Sequence, residues 1–362
     1  MVGFENFRED QLRPALKKWF TGTLLQWNSS ENQRSMPWKG EKNPYRVWMS
    51  EIILQQTRVE QGLSYYNRFI DNFPDIRSLA VAEEEAVFKL WEGLGYYSRC
   101  RNMIAAARTL HFEHQGKFPD EIDQIRSLPG VGPYTASAIA SFAFDKPHAV
   151  LDGNVFRVLS RFFGIYEAID STAGRKIFES LSAFLLDATQ PAKYNQAIMD
   201  FGATVCKPRQ PQCETCPLAK KCAALLVNHV EILPVKAKKL VRKTRWFNFL
   251  IISNGENILI EKRGPKDIWE SLFQFPMIES ERIPALNEWS AAAKNSGGSN
   301  TPSFLFQQTQ QLTHQTIHGR FFVHKTPGNI KAGRWVKVQE LDKFPFPRMI
   351  AKILPELQLS LR

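Results

Sequence analysis

Four of the chain's five cysteines fall in the run CKPRQPQCETCPLAKKC, at Cys206, Cys213, Cys216 and Cys222, with the spacing C-x6-C-x2-C-x5-C. Thiols this close together must serve one purpose. A disulfide framework suits small secreted domains, but this chain has 362 residues. Its opening stretch MVGFENFREDQLRPALKKWF has no apolar core of signal-peptide length, and nothing later approaches the roughly 20 apolar residues of a membrane span. The expectation is a cytoplasmic protein (nucleoid-associated if bacterial) with no membrane partner, in a reducing compartment where clustered cysteines bind metal. Four thiolates suit tetrahedral zinc or an iron–sulfur cluster. Zinc sites commonly pair two C-x-x-C knuckles, and the single pair here favours iron–sulfur. Lys207, Arg209, Lys220 and Lys221 surround the thiols, where they can offset cluster charge or face phosphate.

From residue 4 to about 225 apolar residues recur at helical spacing, as in LRPALKKWFTGTLLQW and VFRVLSRFFGIYEAI, without sustained period-two alternation. Residues 1–229 are therefore read as all-α. The texture then changes: VKAKKLVRKTR (235–245) carries six cations and no acid, which marks 230–244 as a basic linker. Beyond it, RWFNFLIIS and NILIEKR are rich in β-formers and flank Asn254-Gly255, a strong hairpin turn. Residues 245–362 are read as a smaller α+β domain, with a loop at 295–302, a strand in GRFFVHK and a closing helix PRMIAKILPEL started by Pro347. A net charge of +11 draws such a chain toward polyanions, nucleic acid or acidic membrane. Nothing demands more than a monomer.

LPGVGPYTASAIASFAF (128–144) sets two glycines in a turn before a helix of small residues. Gly130 and Gly132 let backbone N–H groups approach a phosphate at the helix N-terminus. A tight inter-helix turn is the plain alternative, but the pattern is that of a helix-hairpin-helix, a grip on the DNA backbone. Twenty residues on, VLDGNVFRVLSRFF places Asp152 before an amphipathic helix, where alone it reads as a turn or cap residue. Upstream, Glu51 stands in NPYRVWMSEIILQQTRVEQ between Trp48 and Ile52-Ile53-Leu54. It is either a solvent-facing helix residue or a carboxyl among apolar side chains, whose raised pKa lets it act as an acid near neutrality. One raised and one ionised carboxyl are the pair that breaks a glycosidic bond. Cys100 in YYSRCRN reads as an inert thiol.

Glu51 in SEIILQQT, the LPGVGPYTA hairpin, LDGNVFRV and the cysteine loop together resemble the MutY family of adenine DNA glycosylases. The resemblance extends over nearly the whole chain, since that family adds a C-terminal Nudix-like domain to an endonuclease III-like, helix-hairpin-helix region. It implies excision of adenine mispaired with 8-oxoguanine or guanine in duplex DNA, with the base flipped out of the stack. By the same resemblance Glu51 protonates adenine at N7, Asp152 stabilises the C1' cation, and Tyr134 and Asn154 orient that centre. The four cysteines hold a 4Fe-4S cluster, and Gln56 and Tyr96 probe or wedge into the duplex. Thr313 and His314 read the 8-oxoguanine strand.

Leu312 stands where the family motif has an aromatic residue, and Lys39 in MPWKG where relatives often have arginine, which loses the planar fork. WESLFQFPMIESERIPALNEW lacks the glutamate-rich helix of Nudix hydrolases, so phosphate hydrolysis is not expected. The terminal QLSLR matches a sliding-clamp peptide weakly enough for chance to account for it. The nearest rival, an endonuclease III-type lyase, needs a hairpin lysine for its Schiff base where this chain has Tyr134. The other rivals are a non-catalytic iron–sulfur DNA-binding protein and a free-nucleotide Nudix hydrolase.

Overall fold

Proline fixes φ near the helical value and gives up an N–H that the first turn cannot use. Four helices begin that way: Pro14, Pro44, Pro133 and Pro191 all occupy the first turn. In this computed structural model the described residues are 13–237, 241–285, 288–289, 302–326 and 333–360, with side chains described only as far as Leu357. Residues 295–301 of the loop expected at 295–302, residues 238–240 of the basic linker, the first twelve residues and the clamp-like terminal side chains lie outside them.

The helices are α1 (Pro14–Ser30), α2 (Pro44–Leu54), α3 (Val59–Asn72), α4 (Ile76–Ala80), α5 (Glu84–Trp91), α6 (Tyr97–Phe112), α7 (Ile122–Ser127), α8 (Pro133–Phe144), α9 (Gly153–Phe163), α10 (Thr172–Leu185), α11 (Pro191–Thr204) and α12 (Ala223–Leu226). Contacts divide the chain into two compact units, one of residues 1–77 with 105–239, the other of 78–104 with 240–362.

The first unit is built of helices and their connections, with no strand among its described residues, as the periodicity predicts. Its core follows from amphipathic spacing: Val155, Val158, Leu159 and Phe162 of α9 recur at i, i+3, i+4 and i+7. They pack with Phe20, Leu24 and Trp27 of α1, Phe178 and Leu181 of α10, and Ile198 and Phe201 of α11. Trp27 meets Phe201 edge-on at 5.0 Å and Phe20 meets Phe162 at 4.8 Å, separations in the range where aromatic pairs attract. The small residues of α8 let it lie against α2, α7 and α11, and this close approach brings the functional side chains together. α9 ends at Gly164, whose φ of +66° allows the left-handed turn that stops the helix.

The second unit is a sheet in the order β3-β2-β1-β6-β5, built from β1 (Lys243–Ser253), β2 (Asn257–Lys262), β3 (Phe273–Gln274), β4 (Met277–Glu279), β5 (Ser303–Gln311), β6 (Gln315–Lys325) and β7 (Arg334–Lys337). β1 and β6 are parallel and the other pairs antiparallel, with β4 against β1 and β7 against β2. The Asn254-Gly255 turn joins β1 to β2 as expected. The closing helix does not run unbroken: it is split into α13 (Arg348–Ala351) and α14 (Leu354–Ser360). Pro355 has no N–H to donate and its ring would clash with the carbonyl four residues back.

Residues 78–104 are tied to this sheet unit. Lys89 donates to the Phe344 carbonyl at 3.2 Å, the Phe346 N–H donates to Glu92 at 3.0 Å, and Arg101 donates to the Glu270 carbonyl at 3.1 Å. Arg245, largely buried, bridges Asp267 and Glu279 at 2.6 Å each.

Candidate active site

Residues predicted from the sequence collect in the first unit around one cavity of about 1150 Å³. Its wall takes Glu51 from the end of α2, Tyr134 from the first turn of α8, Asp152 and Asn154 from the start of α9, and also Lys39, Gln56, Gly130 and Gly132.

Glu51 is only 8% exposed, which excludes the solvent-facing alternative. Burial raises its pKa to about 7; a hydrogen bond from Tyr134 works against the shift and the nearby Asp152 charge adds to it. Tyr134 is half-buried with its phenol enclosed beside both carboxyls, and that phenol is pushed well above the usual value, so it stays protonated and donates.

Asp152 is a helix cap, as one sequence reading has it, and it also lines the cavity with Glu51. One of its oxygens accepts from the N–H groups of Asn154 (2.9 Å) and Val155 (2.8 Å), the other from Asn154 Nδ2 at 2.7 Å. Burial raises its pKa, while these three bonds and the Arg157 guanidinium act against that. Glu51 has only the Tyr134 bond on that side, so the ionised form is held by more hydrogen bonds at Asp152 than at Glu51.

Asn154 is held from the far side. Arg157 donates to Asn154 Oδ1 at 2.8 Å, fixing the amide so that its Nδ2 faces Asp152. The same guanidinium donates to the Gly202 carbonyl (2.6 Å) and the Cys206 carbonyl (2.8 Å). A Cβ on Gly202 would lie 2.7 Å from Asn154 Cβ and 2.9 Å from its carbonyl oxygen, so only glycine lets α11 approach this closely.

Gly130 has φ +75°, and Gly132 caps α8 with no side-chain hydrogen bond. A Cβ on Gly132 would meet nothing within 4 Å, leaving the first-turn N–H groups approachable by an anion. Gln56 takes φ +57°, a conformation that costs a non-glycine residue of order 1 kcal/mol and is concentrated at functional sites. Lys39 donates to Asp200 at 3.0 Å and to the Arg34 carbonyl at 2.9 Å. The sequence reading missed Arg157, Asp200, Arg34 and Gln196; of these Arg34 and Gln196 line the cavity.

A second group forms in the sheet unit. Tyr96, with φ +48° and 40% exposed, shares a hydrogen bond between its hydroxyl and that of Thr313. Thr313 and His314 are exposed at the tip of the β5–β6 hairpin, which closes through Leu312 N–H to the Gln315 carbonyl at 2.7 Å.

The third group is the cysteine loop. Cys206, Cys213, Cys216 and Cys222 form no disulfide and line one small cavity with Arg161, which donates to Cys206 Sγ at 3.5 Å. Burial raises the thiols of Cys213, Cys216 (to about 12) and Cys222, and the charge of neighbouring cysteines, Cys206 in each case, adds to the rise. Four thiols that line one cavity and form no disulfide fit a thiolate-bound metal group. Among the described residues no set of three or more His, Cys, Asp or Glu side chains is placed to hold a metal ion. Cys100 is buried with a raised thiol, as expected of an inert one.

Residues 49–183 match the HhH-GPD superfamily of base excision DNA repair proteins, and residues 248–356 match a NUDIX domain. The chain is 34% identical to the adenine DNA glycosylase of Buchnera aphidicola subsp. Schizaphis graminum, across 92% of this chain and 97% of that protein. It is 42% identical to the adenine DNA glycosylase of Mus musculus, across 57% of this chain and 41% of that one. A solved thermostable thymine-DNA glycosylase is 28% identical with a TM-score of 0.54, covering 58% of this chain and 97% of its own. A non-covalent endonuclease III–DNA complex, 20% identical with a TM-score of 0.52 over 59% of this chain and 97% of its own, shares the fold.

Proposed function

The chain belongs to the family of adenine DNA glycosylases, and from that premise we propose that it removes adenine paired with 8-oxoguanine or guanine by acid-assisted hydrolysis of the N-glycosidic bond. One observation carries the mechanism: Glu51 and Asp152 line the same cavity, and burial raises the Glu51 pKa to about 7, where it can hold and give up a proton near neutral pH. The adenine flips into the cavity, because its glycosidic bond is unreachable within the stack. Glu51, steadied by the Tyr134 hydroxyl, gives its proton to N7 and makes the base a neutral leaving group. Asp152, ionised and fixed by Asn154, faces the developing positive charge at C1', and water completes the hydrolysis. The bare N-terminus of α8 at Gly130-Val131-Gly132 receives a backbone phosphate.

In the sheet unit, Tyr96 and Thr313 form the element that reads the 8-oxoguanine strand, with His314 beside them. Cys206, Cys213, Cys216 and Cys222 would hold a 4Fe-4S cluster, whose contribution is to fasten the loop that carries Lys207, Arg209, Lys220 and Lys221. Four sulfurs that share a cavity supply the ligand set of such a cluster, and the single C-x-x-C pair in their spacing favours it over zinc. The purified protein is expected to contain about four iron and four sulfide per chain; stoichiometric zinc instead would overturn that assignment.

The defining test is single-turnover excision from duplexes with adenine opposite 8-oxoguanine, guanine or thymine, and from one with an oxidised pyrimidine. Breaks that need alkali, confined to the first two duplexes, are expected, and Thr313→Ala should narrow the gap between those two. With Tyr134 at the hairpin position, borohydride should trap little enzyme on DNA. Alkali-independent breaks at the oxidised pyrimidine would move the chain to lyase chemistry.

A further inference from the structure

Asp200 of α11 is fully buried and is absent from the cavity wall, yet four donors converge on it. Oδ1 accepts from Arg34 Nη1 at 2.8 Å and Gln196 Nε2 at 3.0 Å; Oδ2 accepts from Asn32 Nδ2 at 2.9 Å and Lys39 Nζ at 3.0 Å. Those four bonds fill the acceptor capacity of a carboxylate. Three of the donors come from the connection between α1 and α2, the fourth from one turn earlier on Asp200's own helix. Arg34, Lys39 and Gln196 all line the cavity.

We infer that Asp200 is a positioning residue that sets the hydrogen-bonding polarity of the base pocket, and so its preference for a 6-amino purine. The chemistry follows from which atoms Asp200 occupies. With Gln196 Nε2 turned to the carboxylate, the amide cannot flip, and its Oε1 is the end left to accept. With Lys39 held by Asp200 and by the Arg34 carbonyl, its remaining N–H is left to donate. Adenine offers an amino donor at C6 beside a ring acceptor at N1, which complements an acceptor–donor wall. A 6-oxo purine offers an acceptor beside an N1–H donor, so each of its groups meets the wrong partner. Leaving buried polar groups mismatched in this way costs far more than a lost contact. This inference rests on the adenine glycosylase reading and adds to it the group that orients the wall.

The test compares single-turnover excision of adenine and of hypoxanthine, its 6-oxo counterpart, opposite the same partner base, in wild type and Asp200→Asn. Wild type should favour adenine. In Asp200→Asn the neutral amide no longer accepts at both positions, Gln196 is free to turn, and the adenine-to-hypoxanthine ratio should fall at least tenfold. Equal losses on both bases, or an unchanged ratio, would reduce Asp200 to a structural residue and overturn the inference. So would a wild type that does not distinguish the two bases. If Asp200→Asn does not fold, because it strands two cations, Arg34→Gln/Asp200→Asn removes one of them and is read by the same ratio. A wild type that releases no adenine from any duplex overturns the glycosylase reading itself, a separate outcome.

Discussion

Glu51→Gln is expected to lower adenine excision by about 10⁴-fold, the upper range for loss of a general acid, while duplex binding is retained. Glutamine keeps the shape and can still accept from Tyr134, so the cavity should stay intact and only the transferable proton is lost. The pH dependence has a definite sign. Wild-type excision should fall about tenfold per unit above pH about 7, as Glu51 gives up its proton, and should fall again at acid pH as Asp152 takes one up. Stability should run the same way. The unfolded carboxyl titrates near 4.5 and the folded one near 7, so between those values the folded state binds more protons and loses stability as pH rises. Glu51→Gln has no such loss and should be more stable than wild type at pH 8, by up to roughly 3 kcal/mol. Unchanged turnover in the variant would remove the acid role. A variant that is inactive and less stable at pH 8 would show that Glu51 is a structural group.

That opposition between activity and stability explains which parts of the site were legible in the sequence. Glu51 could be suspected because its neighbours Trp48, Ile52 and Ile53 are apolar on both sides, and a carboxyl placed there conflicts with its surroundings. Asp152 was legible as a cap from Gly153 and the amphipathic run after it. The cysteine spacing was legible because the run is only 17 residues long. In each case the signal is local. What could not be read is carried by single side chains across long separations. Asp200 is anchored to residues more than 160 positions earlier, and in YNQAIMDFGA it has only Gln196, four residues back, as a hint. Residues 84–91 look like any amphipathic helix, and no pattern in them tells of bonds from Lys89 and Glu92 to positions 344 and 346. Arg157 was hidden among the cations of VFRVLSRFF. Only its burial shows that it joins the amide of Asn154 to the backbone of the cysteine loop.

Asp152 raises the harder separation, because it caps a helix and, on the proposed mechanism, faces the reaction. Replacing it by asparagine divides the two roles. Asparagine is as good an N-cap as aspartate, so α9 should start at the same place and the melting temperature should change by only a few degrees. What asparagine cannot supply is negative charge opposite the C1' cation, and excision should fall by about 10³-fold, in the range seen when a buried electrostatic stabiliser is removed. Asp152→Ala should lose the same activity and about 1 kcal/mol of stability besides, since the N–H groups of Asn154 and Val155 would then lack their acceptor. The decisive comparison is thus between the two variants. If asparagine restores both stability and excision relative to alanine, Asp152 acts only as a cap and its charge plays no part. If asparagine restores stability alone, the carboxylate is chemical, and the α9 N-terminus owes its position in the cavity to the same residue that meets the cation.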